Sequence, residues 1–495
     1  MLIASHKQPL LSKHQGFLYQ VQAVEAIRKH EYAAIFHEQG LGKTKIAIDL
    51  CLAWLKDDVI DSVIFVTKKS LIRNWQEELE VHSFLRPRLL TQDKAANYFA
   101  FNSPARVYLT HYEVMKAESK RLSLFLKTRR VAVFLDESQK IKNPNSEVAK
   151  AVLALSQGFK RRVIMTGTPV ANRPYDLWAQ IYFLDNGKAL GSEYKEFQRT
   201  LDLSNDLSED EQERSKFEQS LSEVFSKISS FSVRETKLST GIDLPDKHIS
   251  NIQVEMESRQ EEIYKRYRNE LASIVVRSGK PVLDDAEEML KRLLRLVQVA
   301  SNPALVDDSY QRCPGKFQVL QNLIYDAVDS GSKVIVWTSF IENVDWLSCE
   351  LSVFRPVKVY GKMAIANRND SINTFKNDDS CRVLIATPAS AKEGLTLTVA
   401  NHAIFYDRSF SLDDYLQAQD RIHRISQKQP CFIYNLIAHH TIDEWVDVLL
   451  AAKHLAAQLG QGDIDKATYL DRASYDYGVM IREILGIEEK SSVSH

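Results

Sequence analysis

The sequence predicts an α/β protein built from two parallel sheets flanked by helices, and three observations carry that prediction. The apolar run Tyr32-Ala33-Ala34-Ile35-Phe36 enters a glycine-containing turn, His37 to Thr44, and then Ile46-Ala47-Ile48, the start of a helix. The run Val131-Ala132-Val133-Phe134-Leu135 is continuously apolar, as a strand covered on both faces requires, and it ends in Asp136-Glu137. After Cys313-Pro314-Gly315 the alternation of strand and polar loop starts again, without a second turn of the first kind.

Length and composition bound the rest. The 495 residues suffice for two to four domains, and 44% hydrophobic with 26% charged residues is ordinary for a water-soluble globular chain. No apolar stretch reaches bilayer length, and Met1 to Lys7 does not read as a signal peptide; a cytoplasmic setting (nuclear in a eukaryote) is expected. The five cysteines are scattered with no C-x-x-C pair, against a zinc site or disulfide framework and in keeping with a reducing compartment. A net charge of -1 gives no global nucleic-acid signal, so any such contact must come from a local groove.

Taken in order, the first part repeats one unit. Ser62-Val63-Ile64-Phe65-Val66 leads into Thr67-Lys68-Lys69-Ser70 and a helical pattern through Trp75. Arg106-Val107-Tyr108-Leu109 leads into Thr110-His111-Tyr112, and Arg162-Val163-Ile164-Met165 into Thr166-Gly167-Thr168-Pro169. Strand followed by polar loop, repeated, indicates a parallel sheet with helical crossovers. From about Gly191 to Lys237 the chain turns polar and helical, and a second helix-rich stretch covers roughly Glu255 to Val299, where Leu290, Leu293, Leu294 and Val297 fall at i, i+3, i+4, i+7 and read as core packing; 191–310 is expected as helical insertions and an interlobe linker. Then Lys333 to Trp337 leads into Thr338-Ser339, Arg382 to Ala386 into Thr387, and Ala403 to Tyr406 into Asp407. The expected divisions are 1–190, 191–310, 311–450 and a helical tail over 451–495.

The turn at His37-Glu38-Gln39-Gly40-Leu41-Gly42-Lys43-Thr44 is laid out as a phosphate cradle. Backbone N–H groups around Gly40 and Gly42 and the helix dipole meet an anion, Lys43 neutralises phosphate charge, and the Thr44 hydroxyl suits Mg²⁺. An ordinary glycine turn capping a helix is the plainer reading of this segment alone. Carboxylates at the carboxyl end of a central strand sit where open α/β sheets bind ligands. Asp136 suits Mg²⁺, and Glu137 suits orientation and polarisation of an attacking water. Together the two motifs imply nucleoside triphosphate hydrolysis. In the second part, Gln417-Ala418-Gln419-Asp420-Arg421-Ile422-His423-Arg424 places two arginines three residues apart on one helical face, suited to transition-state charge. A solvated basic face has the same spacing.

The full string Gln417 to Gln427 resembles the last motif of Snf2-family ATPases in helicase superfamily 2. The resemblance extends along almost the whole chain in order: Tyr19-Gln20, Ile64 to Trp75, Asp136 to Asn143, Thr166-Gly167-Thr168-Pro169 with Asn172 and Leu177-Trp178, Arg234 and Lys237 before Leu244-Pro245, Val299 to Pro303, and Lys316. It implies two RecA-like lobes with helical insertions, Gln20 reading the purine edge, and ATP and Mg²⁺ as cofactors. It also implies that Gly394 and Gln417 contribute to the nucleotide site, and that Arg421 and Arg424 act as fingers. Departures are His37-Glu38 for Asp-Glu, Gln139 for a histidine, and Ala391-Lys392 for Gly-Gly. Gly394 to Thr398 is similar to the SMARCAL-type annealing-helicase branch.

For such a motor, backbone contacts fall in loops after strands: Lys68, Lys69, Ser70, Thr110, Thr338, Ser339, Thr387 and Lys392, whose ammonium and hydroxyl groups suit sequence-independent phosphate binding. The expected function is an ATP-dependent translocase on double-stranded or branched DNA, remodelling junctions, forks or protein–DNA complexes. Two alternatives stand beside it. One is a motor subunit with protein partners in a defence, restriction or transcription-recycling assembly. The other is a nucleotide-gated DNA clamp without processive movement.

Overall fold

The computed structural model describes residues 9–103, 105–170, 172–202, 211–278, 286–391 and 396–473. The chain divides into two compact units: 1–205 with 215–242 and 456–469, and 206–214 with 243–455 and 470–495.

The first unit is organised by a parallel sheet of seven strands. They are β1 (Tyr32–Ile35), β2 (Ser62–Thr67), β3 (Arg88–Leu89), β4 (Val107–His111), β5 (Val131–Asp136), β6 (Arg161–Met165) and β7 (Ser232–Val233), in the order β3-β4-β2-β5-β6-β1-β7. Every pairing is parallel, with Phe65 opposite Phe134 and Ile35 opposite Met165. Alternate residues share a face: Ala33, Ile35, Val63, Phe65, Ala132, Phe134, Val163 and Met165 all enter one core. The helix Lys43–Lys56 supplies Ile46, Ala47, Leu50, Cys51 and Trp54 to the same core. Phe65 lies 4.6 Å from Trp75 and 5.0 Å from Phe134 between ring centroids, which fixes the helix Ile72–His82 against the sheet. β5 is therefore central and immobile, and its last residue is Asp136.

The second unit has its own parallel sheet of six strands. They are β8 (Lys247–Val254), β9 (Val334–Trp337), β10 (Val357–Val359), β11 (Val383–Ala386), β12 (His402–Phe405) and β13 (Cys431–Ala438), in the order β10-β11-β9-β12-β13-β8. Both faces are apolar. Ile335, Trp337, Leu384, Ala386, Ala403 and Phe405 pack on one side, and Val334, Val336, Val383, Ile385 and Ile404 on the other.

The two-sheet α/β architecture is the one the sequence predicts. The stretch 191–310, expected as helical insertions and a linker, also supplies strands: β7, within the first helical part, extends the first sheet beyond β1, and β8, in the linker, pairs with β13 over its whole length. Of the expected apolar stripe, Leu293 and Val297 are buried but Leu294 is 37% exposed, and the Leu290 side chain lies outside the described residues. Residues 456–469 belong to the first unit. Among the described residues no helix is long and apolar enough to cross a membrane.

Candidate active site

The loop between β1 and the helix Lys43–Lys56 is shaped by two left-handed glycines, Gly40 (φ 86) and Gly42 (φ 70), the latter being the helix N-cap. A side chain at Gly42 would be strained and would also meet Gln20, whose Nε2 lies 2.4 Å from the position of a Cβ. Gln20 itself is buried. It donates from Nε2 to the Leu41 carbonyl at 3.1 Å and accepts from the Phe17 N–H at 3.0 Å. Its amide braces the loop from behind, next to Tyr19, whose hydroxyl donates to the same carbonyl. On the other side, the Gly167 backbone closes on the Gln39 side chain, leaving 2.8 Å where a Cβ would stand.

Lys43 begins the helix and folds back over the loop, its Nζ donating to the carbonyls of His37 at 3.0 Å and Glu38 at 3.3 Å. Thr44, one residue further, is partly exposed in the same first turn. His37 is buried beside this ammonium. Burial, then the charge of Lys43, lowers its pKa to about 4, so the ring is neutral near pH 7 and Lys43 is the charge that faces the loop.

Asp136 ends β5. Its Oδ2 accepts from Thr67 Oγ1 at 2.9 Å and Trp75 Nε1 at 2.8 Å, while the Tyr112 hydroxyl donates to its carbonyl at 2.8 Å. Burial and the adjacent Glu137 raise the Asp136 pKa, opposed by those two hydrogen bonds and by Lys43. The donor pair fixes one oxygen and leaves Oδ1 outside these bonds. Glu137 follows in the left-handed region at φ 52, a strained setting for a residue with a Cβ and one that clusters at functional sites. Its Oε2 accepts a hydrogen bond from Gln139 Nε2 and lies 3.7 Å from Lys68 Nζ. Lys43, Thr44, Asp136 and Glu137 thus occupy one end of one sheet.

In the second unit, Arg421 is 2% exposed and donates from Nε to the Gln417 carbonyl. Arg424 is more accessible; its Nε donates to the Asp420 carbonyl and its Nη1 to Thr396 Oγ1 at 2.9 Å. Gln417 is fully buried and its Nε2 donates to Asp413 Oδ1 at 2.6 Å. Gly394 and Lys392 lie outside the described residues.

The chain matches the family described as SNF2-related domain over residues 19–305, and the helicase conserved C-terminal domain over 315–426. It belongs to the SNF2-related family. An uncharacterized ATP-dependent helicase of Mycoplasma genitalium is 28% identical over 444 residues, covering 86% of this chain and 40% of that one. The DNA repair and recombination protein RAD54-like of Danio rerio is 24% identical, covering 98% of this chain and 71% of its own length. The Sulfolobus solfataricus SWI2/SNF2 ATPase core in complex with dsDNA is 26% identical, over 96% of this chain and 99% of that chain, with a TM-score of 0.42. The chain spans 40% and 41% of the two Mycoplasma helicases it matches.

Several contacts expected of an SNF2-related chain are placed differently. Thr110 and Thr338 are wholly buried and their hydroxyls are committed, Thr110 to the Leu90 carbonyl at 3.1 Å and Thr338 to Asp407 Oδ2 at 2.6 Å. Thr387 is 6% exposed, its N–H bonded to the Val359 carbonyl. Ser339 is part-buried and gives its N–H to Asp407 Oδ1 at 2.6 Å. Asp407 is the hub that sequence reasoning missed: Ser301 Oγ, Thr338 Oγ1 and the Ser339 N–H all converge on its carboxylate. Lys69 is exposed, Ser70 partly so, and Lys68 is turned to Glu137. Thr67 and Trp75 were also missed as supports of Asp136. The adjacency of two polar-ended strands was the one signal that pointed to them.

Proposed function

We propose that this chain is an ATP hydrolase that couples turnover to movement along duplex DNA, and that it works on branched DNA or on protein–DNA complexes. The observation that carries the reading is the convergence of Lys43, Asp136 and Glu137 at one end of the first sheet, beside a loop held open by left-handed glycines. The donor set fits a hard divalent cation: the Thr44 hydroxyl and Asp136 Oδ1 are oxygen ligands of the kind Mg²⁺ takes. When bound, that ion neutralises phosphate charge. Lys43 exchanges its two loop carbonyls for phosphate oxygens. Glu137 holds the attacking water and accepts its proton as the oxygen bonds to the γ-phosphorus; the bond to the bridging oxygen breaks and ADP leaves with the electron pair. Of the two arginines that the family resemblance assigns as fingers, Arg421 and Arg424, Arg424 is the more accessible and the one to carry that role.

The relatives' names support the DNA reading, as does a lysine-bearing loop after β2. ATPase activity should be measured with duplex, four-way, single-stranded DNA and single-stranded RNA, alongside triplex displacement. Duplex or branched DNA should stimulate most, and stimulation should fall steeply with salt as counterions are released. Equal turnover with RNA or with no nucleic acid refutes the DNA reading. Stimulation without triplex displacement favours a clamp. A second reading, a motor subunit within a larger assembly, is tested by co-purification from the native host.

A further inference from the structure

Lys68 is the residue whose position departs furthest from expectation. A lysine in the loop after β2 is suited to bind a backbone phosphate, yet its Nζ is buried, makes no hydrogen bond, and has Glu137 Oε2 as its ion-pair partner at 3.7 Å. The Lys68 and Glu137 side chains are 19% and 12% exposed. The same Oε2 also takes the Gln139 amide. Two donors thus crowd the oxygen that the hydrolytic reading needs for water, and the left-handed backbone at Glu137 holds the carboxylate toward them.

Lys68 also lines a cavity of about 190 Å³, with Lys69, Lys140, His111 and Gln92. The one acid in its wall, Glu113, is already paired with His111 at 2.8 Å and Lys140 at 3.3 Å. Three lysines against one carboxylate give the cavity a surplus of positive charge, the condition for taking a phosphodiester. Lys68 therefore belongs both to the wall of a cavity suited to an anion and to the ion pair with the carboxylate at the end of β5.

We propose that Lys68 is a positioning residue that reports occupancy of this cavity to Glu137. Resting on the motor reading above, the inference is that a DNA backbone phosphate in the cavity draws the ammonium away from Glu137 Oε2. The lone pair of Oε2 so freed then accepts the attacking water. In the absence of DNA the pair keeps Oε2 occupied, and turnover is slow. Gln139 remains on the carboxylate throughout and limits its rotation. Lys69 and Lys140 hold the phosphate in either state, so DNA affinity and control of hydrolysis are separable.

The test compares ATPase rates of the full chain, wild type, Lys68→Met, Lys68→Gln and Lys68→Arg, each with no addition, with duplex DNA and with inorganic phosphate. Circular dichroism checks folding, and fluorescence anisotropy measures DNA affinity. Lys68→Met and Lys68→Gln should raise the DNA-free rate on the order of tenfold, a fraction of the roughly 10²–10⁴-fold that a fully working general base contributes. The ratio of DNA-stimulated to DNA-free rate should fall toward one. Lys68→Arg should keep the wild-type ratio. A residue needed only for packing would lower the rate on removal, so a gain separates the two roles. Folded Met and Gln variants with an unchanged DNA-free rate and intact stimulation overturn the inference, as does loss of turnover in both. Stimulation of the wild type by inorganic phosphate overturns the assignment of the cavity to DNA. A wild type that hydrolyses no ATP under any condition refutes the underlying motor reading instead.

Discussion

His37 offers a quantitative test of how the phosphate loop is built. It is 1% exposed, and neither ring nitrogen has a hydrogen-bond partner. Its folded pKa of about 4 lies below the ordinary value of 6.5, because burial and the Lys43 ammonium both disfavour the cation. Between these values the unfolded chain binds the proton and the folded chain does not, so stability rises with pH through that window. The contribution is fully present above about pH 6.5 and is lost as pH falls toward 4. A gap of roughly 2.5 units, 6.5 minus about 4, corresponds to about 3 kcal/mol at 1.36 kcal/mol per unit. Replacing His37 by leucine, similar in volume and without a titrating group, should leave stability at pH 7.5 equal or higher. Stability of the variant should then fall less steeply on acidification. Urea unfolding of the first unit, followed by Trp54 and Trp75 fluorescence with the other tryptophans replaced by phenylalanine, gives the comparison. Taking the difference between the two proteins removes the titration of every group they share. If wild type and His37→Leu lose stability in parallel from pH 7 to pH 4.5, the neutral buried ring is wrong.

Gly42→Ala should weaken nucleotide binding about tenfold, since a left-handed alanine costs roughly 1–2 kcal/mol and the new Cβ collides with Gln20. Adding Gln20→Ala should recover only part of that loss, and a fluorescent ATP analogue reads both. The two arginines should separate by phenotype. Arg424→Lys should cut turnover on the order of 10³-fold with little change in ATP affinity. Arg421→Lys, at a 2% exposed site, should lower the unfolding midpoint as well as activity. Equal midpoints for the two variants would contradict the burial argument.

The parts of the fold that were legible are those where both faces of a strand are covered. β2, β5 and β9 read as unbroken apolar runs because each has a neighbour on both sides and a core on both faces. β8 was not legible, since Lys247-His248-Ile249-Ser250-Asn251 lies at a sheet edge and is largely exposed. β7 has two residues, too few for any pattern. At the site, the cradle and the acidic pair were visible because their residues are close in sequence. The Trp75 to Asp136 hydrogen bond spans 61 positions and has no spacing rule. Thr110 is turned inward because β4 continues through His111, one strand in from the sheet edge, and its hydroxyl reaches the Leu90 carbonyl just after β3.

The Phe36 carbonyl, where the chain leaves β1 for the phosphate loop, accepts from Arg234 Nη1 at 2.6 Å, and Arg234 Nε is in turn held by Asp463 Oδ1 at 2.6 Å. The order in which a ribosome delivers these residues is the reverse of what the loop needs. Asp463 is made after the whole second sheet, so the nascent first unit must wait through more than two hundred residues for the last anchor of its nucleotide loop. A nascent chain stalled at residue 240 holds all seven strands of the first sheet but not this carboxylate. This brace of the nucleotide loop is therefore completed late in synthesis, when the second sheet has already been made.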